Sequence, residues 1–354
     1  MGHIEPADST TEPTAAFLRA CMRLPSPRLP IWLMRQAGRY MPEYRAVRKK
    51  HSMLDVIGSA ELASEITLQP IRVFGFDAAI IFADILPPLI GMGFDLEFVK
   101  GVGPRIHNAI SQARDVDMLA VPPATETMPA TLEAIELVTA ELGANVPLIG
   151  FAGAPFTLAS YAIEGGGSKT YTRIKAFMYN EPAAWERLMT KLVTVQGDYL
   201  LAQAEAGAAA LQVFDSWVGL ALNADDYKRY VQPYDEKLFA MLSRAGVPTI
   251  HFSTGTGGYL ADVAAAGGDV IGVDWRVPLD VAWEAIGHDR AIQGNLDPAL
   301  LLAPWREIEP RVKDILDRAG GRSGHIFNLG HGVFPNTPVD TVRRLVDFIH
   351  EAGE

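Results

Sequence analysis

The sequence predicts a single-domain α/β chain folded as a (β/α)₈ barrel of the TIM type. Three observations carry that expectation. Eight short apolar runs recur along the 354 residues. Within each run the apolar character is nearly continuous, as in parallel strands covered on both faces. Between the runs lie segments with apolar residues three and four apart, the alternation that builds βα units. An open doubly wound sheet has the same alternation and stands as the alternative architecture. The length exceeds a usual domain but suits an α/β barrel folded as one unit.

Taken in chain order, MGHIEPADSTTEPT is polar and acidic and lacks the apolar core of a signal peptide. It reads as a disordered tail over residues 1–14, with the single domain over 15–354. The first strand run is IWLM (31–34) and the second is AAIIF (78–82). About 65 residues then pass before PLIGF (147–151), enough for extra strands or helices. The helix expected over 183–207 places Leu188, Leu192, Val195 and Tyr199 on one face. AALQVF (209–214) follows. A helix is expected over 223–246, capped by Asn223 and stopped at Gly246. The remaining runs are PTIHF (248–252), VIGVDW (270–275), AIQGNL (291–296) and HIFNL (325–329), before a last helix VDTVRRLVDFIHEAG.

Bulk properties exclude several function classes. The net charge of -11 disfavours nucleic acid, whose phosphates call for a basic face. An anionic ligand is compatible only with a local cluster of arginines. The one cysteine, Cys21, permits no internal disulfide and no thiolate zinc cage, and it fits a reducing cytoplasm. The longest apolar stretch, 78–94, holds Asp84 and Pro87-Pro88, which argues against a membrane span.

Barrel active sites lie at the C-terminal ends of the strands. The residues falling there are Arg35, Asp84, Gly153, Asp215, Ser216, Ser253, Arg276, Asp297 and His331. Arg35 and Arg39 frame RQAGR, in which Ala37 and Gly38 let the backbone bend so that both guanidiniums converge on one ligand. A solvated basic loop would look the same. Asp84 is the only charged residue between Asp77 and Asp95. An isolated carboxylate after a buried strand is functional, or else a turn or helix cap before the two prolines. His331 sits between Gly330 and Gly332, which leave room for a ligand beside the ring; a histidine bonded to a loop carbonyl is the plainer reading. Tyr161 and Ser216 carry little signal by themselves. EGGGSKT (164–170) and GTGGYL (255–260) fall short of a P-loop and a dinucleotide loop and read as mobile loops, the three glycines at 165–167 being a candidate lid.

Several segments together resemble one family. MRQAGRYMPEYR (34–45), FADILPP (82–88) and FNLGHG (327–332), with AAIIFADIL, GFAGAPFT, LQVFDSW, IGVDW and QGNLDP in the same order, are similar to uroporphyrinogen decarboxylases over roughly residues 15–350. The resemblance implies a distorted barrel, a homodimer, and neither cofactor nor metal. It implies removal of four CO₂ from the acetate arms of uroporphyrinogen III, giving coproporphyrinogen III in haem and related tetrapyrrole synthesis. The site residues it implies are Arg35, Gln36, Ala37, Gly38, Arg39, Arg48, Asp84, Tyr161, Ser216 and His331. Asp84 and Arg35 are the expected catalytic pair: the carboxylate steadies a cationic pyrrole, and Arg35 itself or a water it polarises supplies the proton. A zinc-dependent methyltransferase on the same scaffold, a non-catalytic tetrapyrrole binder and a phosphate-ester enzyme are the competing functions.

Overall fold

The computed structural model describes residues 13–99 and 101–352. The expected tail over 1–14 falls almost wholly outside them. Among the described residues the strands are β1 (Ala79–Ile80), β2 (Leu96–Val99), β3 (Gly103–Ile106), β4 (Leu148–Gly153), β5 (Ala210–Asp215), β6 (Thr249–Ser253), β7 (Val270–Gly272), β8 (Ala291–Gln293) and β9 (His325–Ile326). Seven form one curled parallel sheet in the order β1-β4-β5-β6-β7-β8-β9, with helices outside; β2 and β3 pair antiparallel as a separate hairpin.

The first run, IWLM, is reduced to a single parallel bridge, Ile31 to Phe327. It nevertheless bonds on both sides. Phe327 N donates to Pro30 O at 2.9 Å, and Asp77 N donates to Ile31 O at 2.9 Å. Ile31 N in turn donates to the Asp77 carboxylate at 2.8 Å. This segment is the eighth stave, and Asp77 is its clasp, also accepting from Arg28 Nε at 2.9 Å and hydrogen-bonded to His350 Nε2 at 2.8 Å. The distortion of the barrel is concentrated here, where β1 and β9 have two residues each, whereas β4 and β5 have six.

The interior is packed rather than hollow. Trp32, Met34, Ile149, Ile250, Phe252 and Ile326 form its apolar cluster. Trp32 Nε1 donates to Gln293 Oε1 at 2.9 Å and Gln293 Nε2 donates to Gln212 Oε1 at 3.0 Å, so polar groups there bond one another. The helix Ala16–Cys21 closes this cluster with Phe17, Ala20 and Cys21. Burial pushes the Cys21 thiol up, which keeps it protonated and unreactive.

The long helix appears as Pro182–Glu205. The helix expected over 223–246 is broken instead. It divides at Val231 into Ala224–Tyr230 and Gln232–Leu242, because Pro233 cannot donate its backbone N–H and starts a new helix. Asn223 caps the first piece, accepting from Asp226 N at 2.9 Å. Among the described residues, the long gap after β1 holds four helices and the β2–β3 hairpin. The glycine loop is tied to that hairpin: Gly166 bridges Arg105, and Ile106 N donates to Gly165 O at 2.9 Å. A Cβ at Gly166 would meet Pro104 O at 2.9 Å, so the close approach requires glycine.

Candidate active site

At the C-terminal ends of the staves opens a cleft of about 250 Å³. Its lining brings together Arg35, Asp84, Tyr161, Ser216 and His331 from five separate places in the chain. Phe151, Phe214 and Phe252, on neighbouring strands β4, β5 and β6, form one wall. Their rings meet edge to face at 5.5 and 5.8 Å, giving the cleft an apolar side opposite its charged residues.

Arg35 is held in an unusual backbone conformation, φ 61°. A non-glycine residue pays for that conformation only when its surroundings dictate it, and such positions gather at functional sites. Here they do. Met34 N donates to Asn328 Oδ1 at 3.1 Å, and Val333 N donates to Met34 O at 2.9 Å. Gln36 is fully buried, its amide bridging Leu33 N and Ala78 O at 3.2 Å each. A Cβ on Gly38 would come within 2.9 Å of Arg35 O. Arg45 Nη1 clasps the turn from outside through Arg39 O at 2.9 Å and Tyr40 O at 2.8 Å. The Arg35 guanidinium has no hydrogen-bond or salt-bridge partner among the described residues, which leaves its donors facing the cleft.

Asp84 follows β1 at the floor. Its Oδ1 accepts from Leu86 N at 3.0 Å. Burial raises its pKa, while the Leu86 N–H and the Arg35 charge pull the other way. The carboxylate is thus poorly solvated, and hydrogen-bond donors or positive charge in the cleft would stabilise it. Burial, then the Asp84 charge, pushes the Tyr161 hydroxyl up to about 12, so it is a neutral donor and acceptor.

His331 stays neutral. Burial, then the Arg35 and Arg276 charges, hold its pKa down to about 4. Gly332 N donates to Nδ1 at 2.7 Å, which assigns the ring proton to Nε2. Because this pKa is depressed in the fold, the neutral ring contributes stability above pH 6.5 that is lost as pH falls towards 4. The melting temperature is therefore expected to drop across that window, and His331→Asn to make the drop shallower, the buried His251 and His325 rings supplying the rest. Thermal melts of both proteins from pH 7 to pH 4 check this.

The flanking glycines also admit close packing by neighbouring groups. A Cβ at Gly332 would lie 2.4 Å from Arg35 Cδ, and one at Gly330 would lie 2.4 Å from Trp275 N. Arg35 and a neighbouring loop therefore pack closely on either side of His331, while His331 and Gly332 still line the cleft.

Not every expected residue reaches the cleft. Gln36, Ala37 and Gly38 shape the turn behind Arg35. Arg39 is exposed, with its guanidinium unpaired among the described residues. Arg48 donates to His51 O at 2.9 Å, within its own turn. The sequence reading missed the phenylalanine wall, Trp217, Pro104 of the hairpin, and Asn328. Asn328 lies inside the FNLGHG segment, which was its only signal.

Residues 12–352 match the family model described as "Uroporphyrinogen decarboxylase (URO-D)". The chain is 56% identical over 337 residues to the uroporphyrinogen decarboxylase of Chloroflexus aurantiacus, covering 94% of each. It is 54% identical over 340 residues to that of Roseiflexus sp., covering 95% of this chain and 97% of the other. Among solved structures, a methyltransferase from Methanosarcina mazei superposes with a TM-score of 0.77 over 95% of this chain and 98% of the other. Its identity is 20%, so it speaks for the fold alone.

Proposed function

The chain belongs to the uroporphyrinogen decarboxylase family, and from that premise we propose that its cleft strips the four acetate carboxyls of uroporphyrinogen III to methyls, giving coproporphyrinogen III. The observation that carries the reading is the poorly solvated Asp84 carboxylate beneath an apolar wall, beside an unpaired Arg35. In each turnover a pyrrole ring carbon takes a proton and the ring becomes an iminium-like cation. The bond between the acetate methylene and its carboxyl then breaks. CO₂ leaves, the electron pair flows into the ring, and the exocyclic methylene takes up a proton as the ring carbon loses one. Net, one carboxylate is exchanged for one proton. The substrate is its own electron sink, a task that other decarboxylases give to a cofactor.

Asp84 accepts hydrogen bonds from the pyrrole N–H groups and favours the cationic ring over the neutral one. That is stabilisation of charge where it develops, in a site poor in water. Arg35 pairs with the reacting acetate and polarises a water that delivers the proton, since a guanidinium with a pKa above about 12 is a poor acid at neutral pH. Tyr161, Ser216 and His331 Nε2–H hydrogen-bond other arms. Arg39 and Arg48 meet carboxylates that project from the cleft mouth. Gln36, Ala37 and Gly38 present the backbone of the turn. The active form is a homodimer in the cytoplasm. The single buried thiol is consistent with that compartment, and no helix among the described residues is long and apolar enough to cross a membrane.

Anaerobic incubation with uroporphyrinogen III, followed by oxidation and separation of the porphyrins by carboxyl number, tests the activity. Hepta- to penta-carboxylate intermediates ending in the tetracarboxylate are expected; unaltered octacarboxylate contradicts the reading. Arg39→Lys loses the planar fork and is expected to raise KM about tenfold with kcat little changed. Steady-state kinetics at two ionic strengths check this, because an exposed ion pair weakens with salt. Gly332→Ala puts a methyl where the Arg35 side chain lies. A displacement of about 1 Å costs on the order of 10²-fold in a positioned reaction, so kcat/KM is expected to fall by about that factor with the circular dichroism spectrum unchanged.

A further inference from the structure

The cleft is small for a macrocycle. Its volume of about 250 Å³ falls below the ~300–1,000 Å³ common for drug-sized ligands, and a tetrapyrrole with eight carboxylate arms is larger than those. Some arms therefore run over the rim. On the His331 side that rim is the loop after β7. A Cβ at Gly330 would run into Trp275 N and the Asp274 carbonyl carbon, so this loop lies directly against the residue before His331. Beyond it opens a second cavity of about 300 Å³, whose lining includes Trp275, Arg276, Asn295 and Arg311. The Arg276 charge also reaches the cleft: after burial and Arg35, it is the next cause of the low His331 pKa. Arg276 thus stands between the two hollows.

This arginine is fixed before anything binds. Its guanidinium carbon lies 4.2 Å from the centroid of the Trp275 ring, and Nη1 pairs with Asp274 Oδ2. Asp274 is buried and is itself held by Gly255 N at 2.7 Å and Arg276 N at 2.9 Å. Asn295 Nδ2 donates to Asp274 O at 2.8 Å and to Val277 O at 2.7 Å, which ties both ends of the loop. Arg276 Nε and Nη2 have no hydrogen-bond partner among the described residues, and the side chain is 47% exposed. A stacked, anchored fork with free donors takes a carboxylate with little further loss of side-chain freedom. The cavity's other arginines are placed differently. Arg318 is committed to Asp280 and Asp314, and Arg311 stands on the outer helix Trp305–Ala319.

We propose that Arg276 is a specificity-determining residue that takes a propionate carboxylate of the tetrapyrrole where it crosses the rim beside His331. A propionate is one methylene longer than an acetate and so reaches further past the cleft. It also survives every turnover, so one contact holds each successive intermediate. A contact made equally in the ground state and the transition state lowers KM and leaves kcat alone. The inference rests on the reading of the cleft as the decarboxylation site.

The test compares the full-length wild type with Arg276→Gln, which keeps a donor for Asp274 Oδ2 but lacks the charge and the fork. Anaerobic steady-state kinetics are run on octacarboxylate and pentacarboxylate porphyrinogens at two ionic strengths. KM is expected to rise about fivefold for both substrates, the upper end for a half-exposed ion pair, with kcat and the melting temperature unchanged. Added salt should raise KM less steeply in the variant than in the wild type. A purely structural role would instead lower kcat and the melting temperature and leave the salt slope as it was; that result overturns the proposal. An unchanged KM overturns it too, and so does a rise confined to the octacarboxylate, which would mark an acetate contact. If Arg276→Gln does not fold, Arg276→Lys, which keeps the ion pair with Asp274 but not the fork, is read the same way. The two readings fail separately. A wild type that leaves the octacarboxylate unaltered removes the decarboxylation; a variant indistinguishable from a working wild type removes Arg276 alone.

Discussion

Asp84→Asn is expected to lower kcat by about 10²–10³, or roughly 3–4 kcal/mol, the loss seen when one group aimed at transition-state charge is removed. The amide is nearly isosteric and keeps an oxygen to accept from Leu86 N. What it lacks is the charge that offsets the cationic pyrrole. The fold should not suffer. Burial raises the Asp84 pKa, so ionising this carboxyl works against the folded state rather than for it. The melting temperature of the variant at pH 7 should therefore equal or exceed that of the wild type. Activity lost together with stability would assign Asp84 a structural role; turnover at the wild-type rate would remove it from the chemistry.

Arg35→Ala is expected to lower kcat/KM by about 10², roughly 3 kcal/mol, the cost of removing one partner from a charge pair that closes only when the substrate acetate binds. A second readout separates the electrostatic role from simple binding. The Arg35 charge lowers the Asp84 pKa and the His331 pKa. Without it both rise, and the acid limb of the kcat/KM profile should move to higher pH. A pH–rate profile of the variant checks the direction. The double variant with Asp84→Asn should lose less than the two single losses combined, because the residues act on one charge distribution. An unmoved acid limb would reduce Arg35 to an anchor for the acetate.

All eight staves were legible because parallel strands buried on both faces leave continuous apolar runs. That same continuity hid the phenylalanine wall. Without a polar alternation, nothing distinguishes Phe214, facing the cleft, from Val213, facing the helices. The shrinkage of the first stave to one bridge depends on Asp77, whose bond to Ile31 N joins residues far apart in the chain. No local pattern encodes such a clasp. The break at Val231 was marked by Pro233, but the apolar period continues across it and outweighed the proline. Arg35, Asp84, Tyr161, Ser216 and His331 line one cleft, and the signal for Tyr161 and Ser216 was the resemblance rather than their own chemistry. The glycines around His331 read as room for a ligand, and the structure adds that Arg35 and the backbone of Trp275 also approach them closely. A glycine reports that something is close, not what it is.

The account turns on the carboxylate at the floor of the cleft. A crystal structure of the protein with coproporphyrinogen III, prepared without oxygen, tests it most directly. The predicted result has the Asp84 oxygens within about 3 Å of pyrrole nitrogens, the ring against Phe151, Phe214 and Phe252, and carboxylate arms on Arg35 and Arg39. A macrocycle bound outside this cleft, or one turned so that Asp84 meets a side arm instead of the ring nitrogens, would contradict it.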